Sequence, residues 1–222
     1  MTPRVTVLQL DTYFPRIAGD VGSEQTYARA PQIIRIGGAS VGRIVTNRPQ
    51  DIDIKPFEEA LAHAEGDIIV TSCGFLSYWQ DHLAALTDRP FISSALTALD
   101  DLHRIHSPDA LRILTFNQDA LTAAHLGKHT AYAGCIIGLP PAHHLRHVID
   151  QNLSALDEAL ASSEITKLLC ETQTEAHGHI LLECTNLPPY RAAIKAATGL
   201  PVTDILTCIE TICAGAIAPQ FS

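Results

Sequence analysis

Four short apolar runs, at 5–10, 68–70, 111–114 and 180–182, each stop at a small or polar residue: Asp11, Thr71, Thr115 and Glu183. Helix-period patterns occupy 56–64, 78–86, 95–105, 119–127, 142–162 and 190–198. Strands separated by helices cannot close as hairpins. They need crossover connections, which produce parallel sheets covered by helices. The chain therefore reads as α/β.

A second regularity narrows the architecture. Shifting the chain on itself by one offset of 111 residues (184 − 73) lays Cys73 on Cys184, Ile69 on Ile180, Leu76 on Leu187 and Pro90 on Pro201. Each half then runs as apolar strand, cysteine turn, helix, a proline-led strand (Pro90-Phe91-Ile92 or Pro201-Val202) and a further helix, the pattern of a duplication. The expectation is two pseudo-symmetric lobes, each a mainly parallel sheet flanked by helices. Residues 1–94 with 200–222 would form the first lobe and 95–199 the second. The chain has 222 residues, 46% of them hydrophobic, enough for one sizeable core or two modest ones. Ligands of parallel α/β sheets sit at the carboxyl ends of the strands, where both cysteines fall, so the site is expected in the cleft between the lobes.

Charge and composition exclude several partners. Fifteen Lys+Arg against 24 Asp+Glu give a formal charge of −9, the wrong sign for gripping nucleic-acid phosphates or an anionic membrane. No apolar run approaches the ~20 residues of a membrane helix, and Met1-Thr2-Pro3-Arg4 leads into a strand without a signal-type apolar region. A cytoplasmic location is expected, where six cysteines stay reduced.

Two of those cysteines stand apart. Cys73 sits in Thr71-Ser72-Cys73-Gly74-Phe75, where the glycine frees backbone N–H groups. Cys184 sits in Glu183-Cys184-Thr185-Asn186, ahead of Leu187-Pro188-Pro189-Tyr190 and a helix. Thiols at strand ends facing helix N-termini have their thiolates favoured by nearby donors and can act as bases. Cys135, Cys170, Cys208 and Cys213 lie in apolar or helical surroundings and read as ordinary buried thiols.

These paired motifs, with Leu10-Asp11-Thr12 and Leu114-Thr115, resemble the aspartate/glutamate racemase superfamily along essentially the whole chain. The group includes hydantoin racemases, arylmalonate decarboxylases, maleate isomerases and dimethylsulfoniopropionate lyases. The resemblance implies cofactor-independent proton transfer at a carbon alpha to a carboxylate, with Cys73 and Cys184 as the acid/base pair on opposite faces. It also implies a carboxylate cradle from Thr71, Ser72, Thr115, Thr185 and Asn186 with backbone N–H groups around Gly74 and Thr185, Glu183 as a further substrate-binding residue, and Asp11 and Thr12 near the amino group or the thiol. Members of the group are often homodimers. Retention of both cysteines favours racemisation or another two-base reaction over decarboxylation.

Departures from the pattern bear on the substrate. Gly74-Phe75 and Thr185-Asn186 stand where glutamate racemases carry Asn-Thr after the first cysteine and a histidine two residues after the second. An aspartate-like substrate would need a basic residue for its distal carboxylate, and Arg48 is the candidate; Phe14, Phe75 and Tyr190 would make the pocket partly apolar. His143, His144, His147, His177 and His179 lack a completing ligand set and are expected on the solvated surface, with no metal site. Gly37-Gly38-Ala39-Ser40 lacks a nucleotide fingerprint and reads as a loop. The segment Pro15-Arg16-Ile17-Ala18-Gly19-Asp20-Val21-Gly22 reads equally as a lid or as a plain surface loop. Three functions follow: a racemase or epimerase of an amino acid or related small carboxylate, a lyase that expels a β leaving group after α-proton abstraction, and a binding protein without catalysis.

Overall fold

In the computed structural model, which describes residues 2–222, the four apolar runs form strands and four further strands join them. The first sheet contains β1 (Val5–Leu10), β2 (Gln32–Ile36), β3 (Ile68–Thr71) and β4 (Phe91–Ile92); the second contains β5 (Leu111–Thr115), β6 (Ile136–Gly138), β7 (His179–Leu182) and β8 (Val202–Thr203). The orders are β2-β1-β3-β4 and β6-β5-β7-β8, with every pairing parallel. The two lobes thus share one topology. The offset of the cysteines superposes β3 on β7, β4 on β8 and the helix start Gln80 on Arg191. It fails for β1 and β2, because the loops between the cysteine strand and its predecessors differ in length.

Strands buried on both faces divide their side chains with period two. Leu111 and Ile113 of β5 and Leu181 of β7 join the core cluster of the first lobe. Leu114, Ile180 and Leu182 point the other way, into a second cluster with Leu145, Ile165 and Ile194. The first cluster therefore runs without interruption from one lobe into the other.

Three expectations are corrected. Val202–Thr203 pair with β7, so the return to the first lobe begins at Asp204 rather than at 200. From there the helix Ile205–Ile212, capped by the Asp204 carboxylate accepting from Thr207 N at 3.0 Å, buries Ile205, Leu206 and Ile209 in the first cluster. The helix anticipated over 142–162 is two, His144–Asp150 and Glu158–Glu171. The break holds Asn152 at φ 50°, a left-handed conformation that asparagine tolerates. Its Oδ1 accepts from the N–H groups of Tyr13 (2.7 Å) and Phe14 (3.2 Å) in the other lobe, a long-range contact that a local period does not register. The segment anticipated as helix over 119–127 instead forms tight helical turns from Ala123 to Cys135, interrupted at Gly127 with φ 53°.

The lobes meet at the strand ends. Ser72 N donates to Leu8 O (3.0 Å) and Glu183 N to Leu114 O (2.9 Å), so each cysteine loop leaves its sheet in the same way. Between the loops, the Thr185 hydroxyl donates to Ser72 O at 2.6 Å. A side chain at position 74 would collide with the carbonyl and carboxylate of Glu183, so only glycine permits this approach. Removing the hydroxyl leaves a buried carbonyl unpaired: Thr185→Val is expected to lower the unfolding free energy by about 1–3 kcal/mol in urea titrations, with Thr185→Ser much closer to wild type.

Candidate active site

Cys73 caps the helical turn Gly74–Trp79 and Cys184 precedes the turn Pro188–Tyr190, each one residue beyond the position where its sheet contacts end. Both thiols open onto one cavity, lined by Phe14, Phe75 and Phe116 together with Leu10, Val41, Val45 and Ile149 on the apolar side. Its polar wall holds Arg16, Ser72, Gly74, Glu183, Thr185 and Asn186. The cysteines are only 8% and 7% exposed, so the site is nearly closed to water.

Burial dominates the acid–base character. It pushes the Cys73 thiol up to about 12, helped by the charge of Glu183 and opposed by the Phe75 N–H and the Arg16 guanidinium. Cys184 is held well above the ordinary thiol range for the same first two reasons. Glu183 is itself fully buried, and its removal from water raises its carboxyl to about 7 against the one opposing contact, the Thr115 hydroxyl donating to Oε2 at 2.5 Å. Its Oε1 has no hydrogen-bond partner among the described residues.

The residues expected around the thiols separate into two groups. Ser72, Gly74, Glu183, Thr185 and Asn186 line the cavity with the cysteines. Thr71 and Thr115 lie just behind them: the Thr71 hydroxyl is engaged with the carbonyls of Ser93 (2.6 Å) and Cys73 (3.0 Å), and that of Thr115 with Glu183. Asp11 is turned away, accepting from Arg35 at 3.4 Å and Gly38 N at 3.3 Å. Thr12 is buried and accepts from Arg16 at 3.1 Å. Arg48 does not reach the site; it is exposed and paired with Asp51 at 2.7 Å. Phe14 and Phe75 line the cavity as anticipated, whereas Tyr190 is buried outside it, its hydroxyl unpaired among the described residues.

The segment 15–22 is neither an open lid nor a plain surface loop. Asp20, Val21 and Gly22 are buried, and Asp20 accepts from Asn186 Nδ2 at 2.6 Å and from Gly22 N at 2.7 Å. Because Asn186 Oδ1 faces the Cys184 thiol at 3.6 Å, this segment is a wall joined to the cysteine loop of the opposite lobe. Arg16 and Asp20 are the site residues that motif reading passed over. The signal available was their i,i+4 spacing of opposite charge beside the first strand, which a surface helix would show as well. Elsewhere, His179 is buried at the start of β7 against His106, with Nε2 facing Thr203 Oγ1 at 2.9 Å, and is not on the solvated surface. Cys170 is exposed rather than buried. No group of three or more His, Cys, Asp or Glu among the described residues is arranged to hold a metal ion, and no helix is long and apolar enough to cross a membrane.

The fold matches solved structures over nearly its full length. Allantoin racemase from Pseudomonas fluorescens superposes with a TM-score of 0.63 at 14% identity, covering 95% of this chain and 88% of that one. Glutamate racemase from Bacillus anthracis gives 0.52 at 14%, covering 96% and 84%. The two-lobed α/β fold is therefore the one these racemase structures share, and here it carries the paired cysteine motifs at matching strand ends. No protein-family model matches it. By sequence it is similar to a dimethylsulfoniopropionate lyase of Durusdinium sp. clade D, 25% identical over 97% of this chain and 76% of the relative. It is also similar to dimethylsulfoniopropionate lyase 5 of Emiliania huxleyi, 26% identical over 95% of this chain; there it spans less than half, 45%, of the relative's length.

The buried carboxyl of Glu183 makes a signed prediction. Its folded-state value is above the 4.5 of the unfolded chain, so below about pH 4.5 both states are neutral and nothing is lost, whereas above pH 7 both are ionised and the fold carries the burial cost of about 3 kcal/mol. Glu183→Gln is therefore expected to gain thermal stability over wild type at pH 8 and to lose that advantage by pH 4.5. Removing the charge also makes both thiols more acidic, so iodoacetamide should alkylate Cys73 and Cys184 several-fold faster at pH 8 in the variant.

Proposed function

We propose that this enzyme-fold protein transfers a proton at a carbon alpha to a carboxylate, with Cys73 and Cys184 as the base and acid of a racemase or epimerase. The observation that carries the reading is that one thiol from each lobe opens onto the same water-poor cavity. In the forward step a thiolate takes the α-proton: an S–H bond forms, the C–H bond breaks, and the electron pair moves into the carboxylate as an enediolate. The opposite S–H then returns a proton to the other face, leaving the second sulfur as thiolate and the carbon inverted. The reverse reaction exchanges the two roles.

Each thiolate has to form against burial and against Glu183, so the neutral form of Glu183 favours the reaction. Developing charge on the carboxylate needs donors that are already in place. Those available at the cavity wall are the guanidinium of Arg16 and the Ser72 hydroxyl, whose oxygen already accepts from Leu10 N at 2.9 Å. With Arg48 outside the site, no second cation among the described residues is available for a distal carboxylate, which favours a monocarboxylate over an aspartate-like diacid.

A second reading, elimination of a β leaving group, has two supports. The sequence relatives named above are dimethylsulfoniopropionate lyases. The three phenyl rings of Phe14, Phe75 and Phe116, together with a buried carboxyl, also suit a cationic sulfonium group. Here the same α-proton abstraction would send the electron pair toward the β-carbon and break its bond to the leaving group, yielding an alkene.

Proton NMR in deuterium oxide separates the two, using enantiopure 2-substituted monocarboxylates and dimethylsulfoniopropionate as substrates. Racemisation exchanges the α-proton without a new product, and elimination gives vinylic signals. Cys73→Ser and Cys184→Ser should each lose roughly 10²–10⁴-fold in the rate of the reaction observed. Full activity in both variants would rule out the two-thiol mechanism.

A further inference from the structure

We propose that Arg16 is the residue that receives the substrate carboxylate, and hence the residue that makes the site select acids over their neutral analogues. It rests on the carbon-acid reading above for the identity of the ligand as a carboxylate, but not for its binding chemistry.

Four observations converge on it. Arg16 is the one cationic side chain among the described residues that line the cavity, and its side chain is nine-tenths buried. A guanidinium offers five N–H donors, and this one uses few of them. Nη1 lies 3.2 and 3.5 Å from the two Asp20 oxygens, Nη2 lies 3.1 Å from Thr12 Oγ1, and the buried Nε has no partner among the described residues. A dry, under-satisfied cation is costly unless an anion completes it.

Asp20 is not that complete partner. Its oxygens are held more closely by Gly22 N (2.7 Å) and Asn186 Nδ2 (2.6 Å) than by the guanidinium. Asp20 thus fixes Arg16 in place without using its donors up. Phe14 adds a second support, its ring centroid 4.4 Å from the guanidinium carbon, a cation–π contact.

The threonine hydroxyls of the alternative cradle are already occupied. The hydroxyls of Thr71, Thr115 and Thr185 donate to Ser93 O and Cys73 O, to Glu183 and to Ser72 O respectively, all inside the protein. An acid entering the cavity therefore meets one cationic donor, Arg16, with the Ser72 hydroxyl on the same lining. A carboxylate paired there would share the cavity with both thiols, as an α-carbon has to. An amide or ester of the same shape lacks the charge that repays the guanidinium.

The test measures binding apart from turnover. Protection against thermal unfolding is titrated with short 2-substituted monocarboxylates and with the matching primary amides, on wild type, Arg16→Gln, Arg16→Lys and the Cys73→Ser/Cys184→Ser double variant. Acids are expected to protect wild type and amides not to. Arg16→Gln should weaken acid binding at least tenfold, and Arg16→Lys should fall between, because it keeps the charge and loses the fork. The double variant should bind acids as wild type does. Were its binding intact while wild type showed no proton exchange, the carbon-acid reading would fail and the Arg16 assignment would stand. Wild-type affinity in a cooperatively melting Arg16→Gln protein, equal protection by acid and amide, or no protection by any acid would each overturn the assignment. Should Arg16→Gln not fold, unchanged acid affinity in Arg16→Lys would overturn it, and a several-fold loss would support it.

Discussion

The two lobes are held in working register by the contact between their cysteine loops. The Thr185 hydroxyl bonded to Ser72 O, and the bare backbone of Gly74 against Glu183, set how close the strand ends of β3 and β7 approach. Everything in the site depends on that distance. It brings a thiol from each sheet to one cavity, excludes water from between them, and forces Glu183 into a place where no solvent reaches its carboxyl. A larger residue at position 74 would force the loops apart.

The dryness of that cavity controls its electrostatics. Burial alone opposes every charged form, so two thiols and one carboxyl are all biased toward their protonated states, and Glu183 adds to the bias on the sulfurs whenever it ionises. Arg16 is the countervailing charge. It is anchored by Asp20, which is anchored in turn by Asn186 beside Cys184, so the cation that faces the cavity is positioned by residues from both lobes. The segment carrying it is accordingly packed as a wall. The Asn152 carboxamide, which accepts from the backbone at Tyr13 and Phe14, closes the same side from the second lobe.

Much of this was legible in the chain because it is written in local patterns. Short apolar runs ending at small or polar residues located β1, β3, β5 and β7, and a single offset matched the cysteine loops. What escaped has a common cause. Strands β2 and β6 sit at sheet edges, where Gln32, Arg35 and Gly138 blur the apolar signal. Asn152 broke an apparently continuous helix because its side chain is needed across the cleft. Arg16 and Arg48 are indistinguishable as letters, yet one is enclosed beside a thiol and the other pairs with Asp51 in solvent.

The sequence by itself therefore determined the α/β class, the duplicated plan and the two thiols singled out from six, since apolar runs and a repeat offset can be read along the chain without knowing any contact. Only the tertiary structure decided which charges share the cavity, that the threonine hydroxyls are already used, and that the 15–22 segment is a wall. Those outcomes depend on contacts between residues more than a hundred positions apart, such as Asn186 with Asp20 and Thr185 with Ser72. Burial and charge pairing arise from such contacts, and no window along the chain contains them.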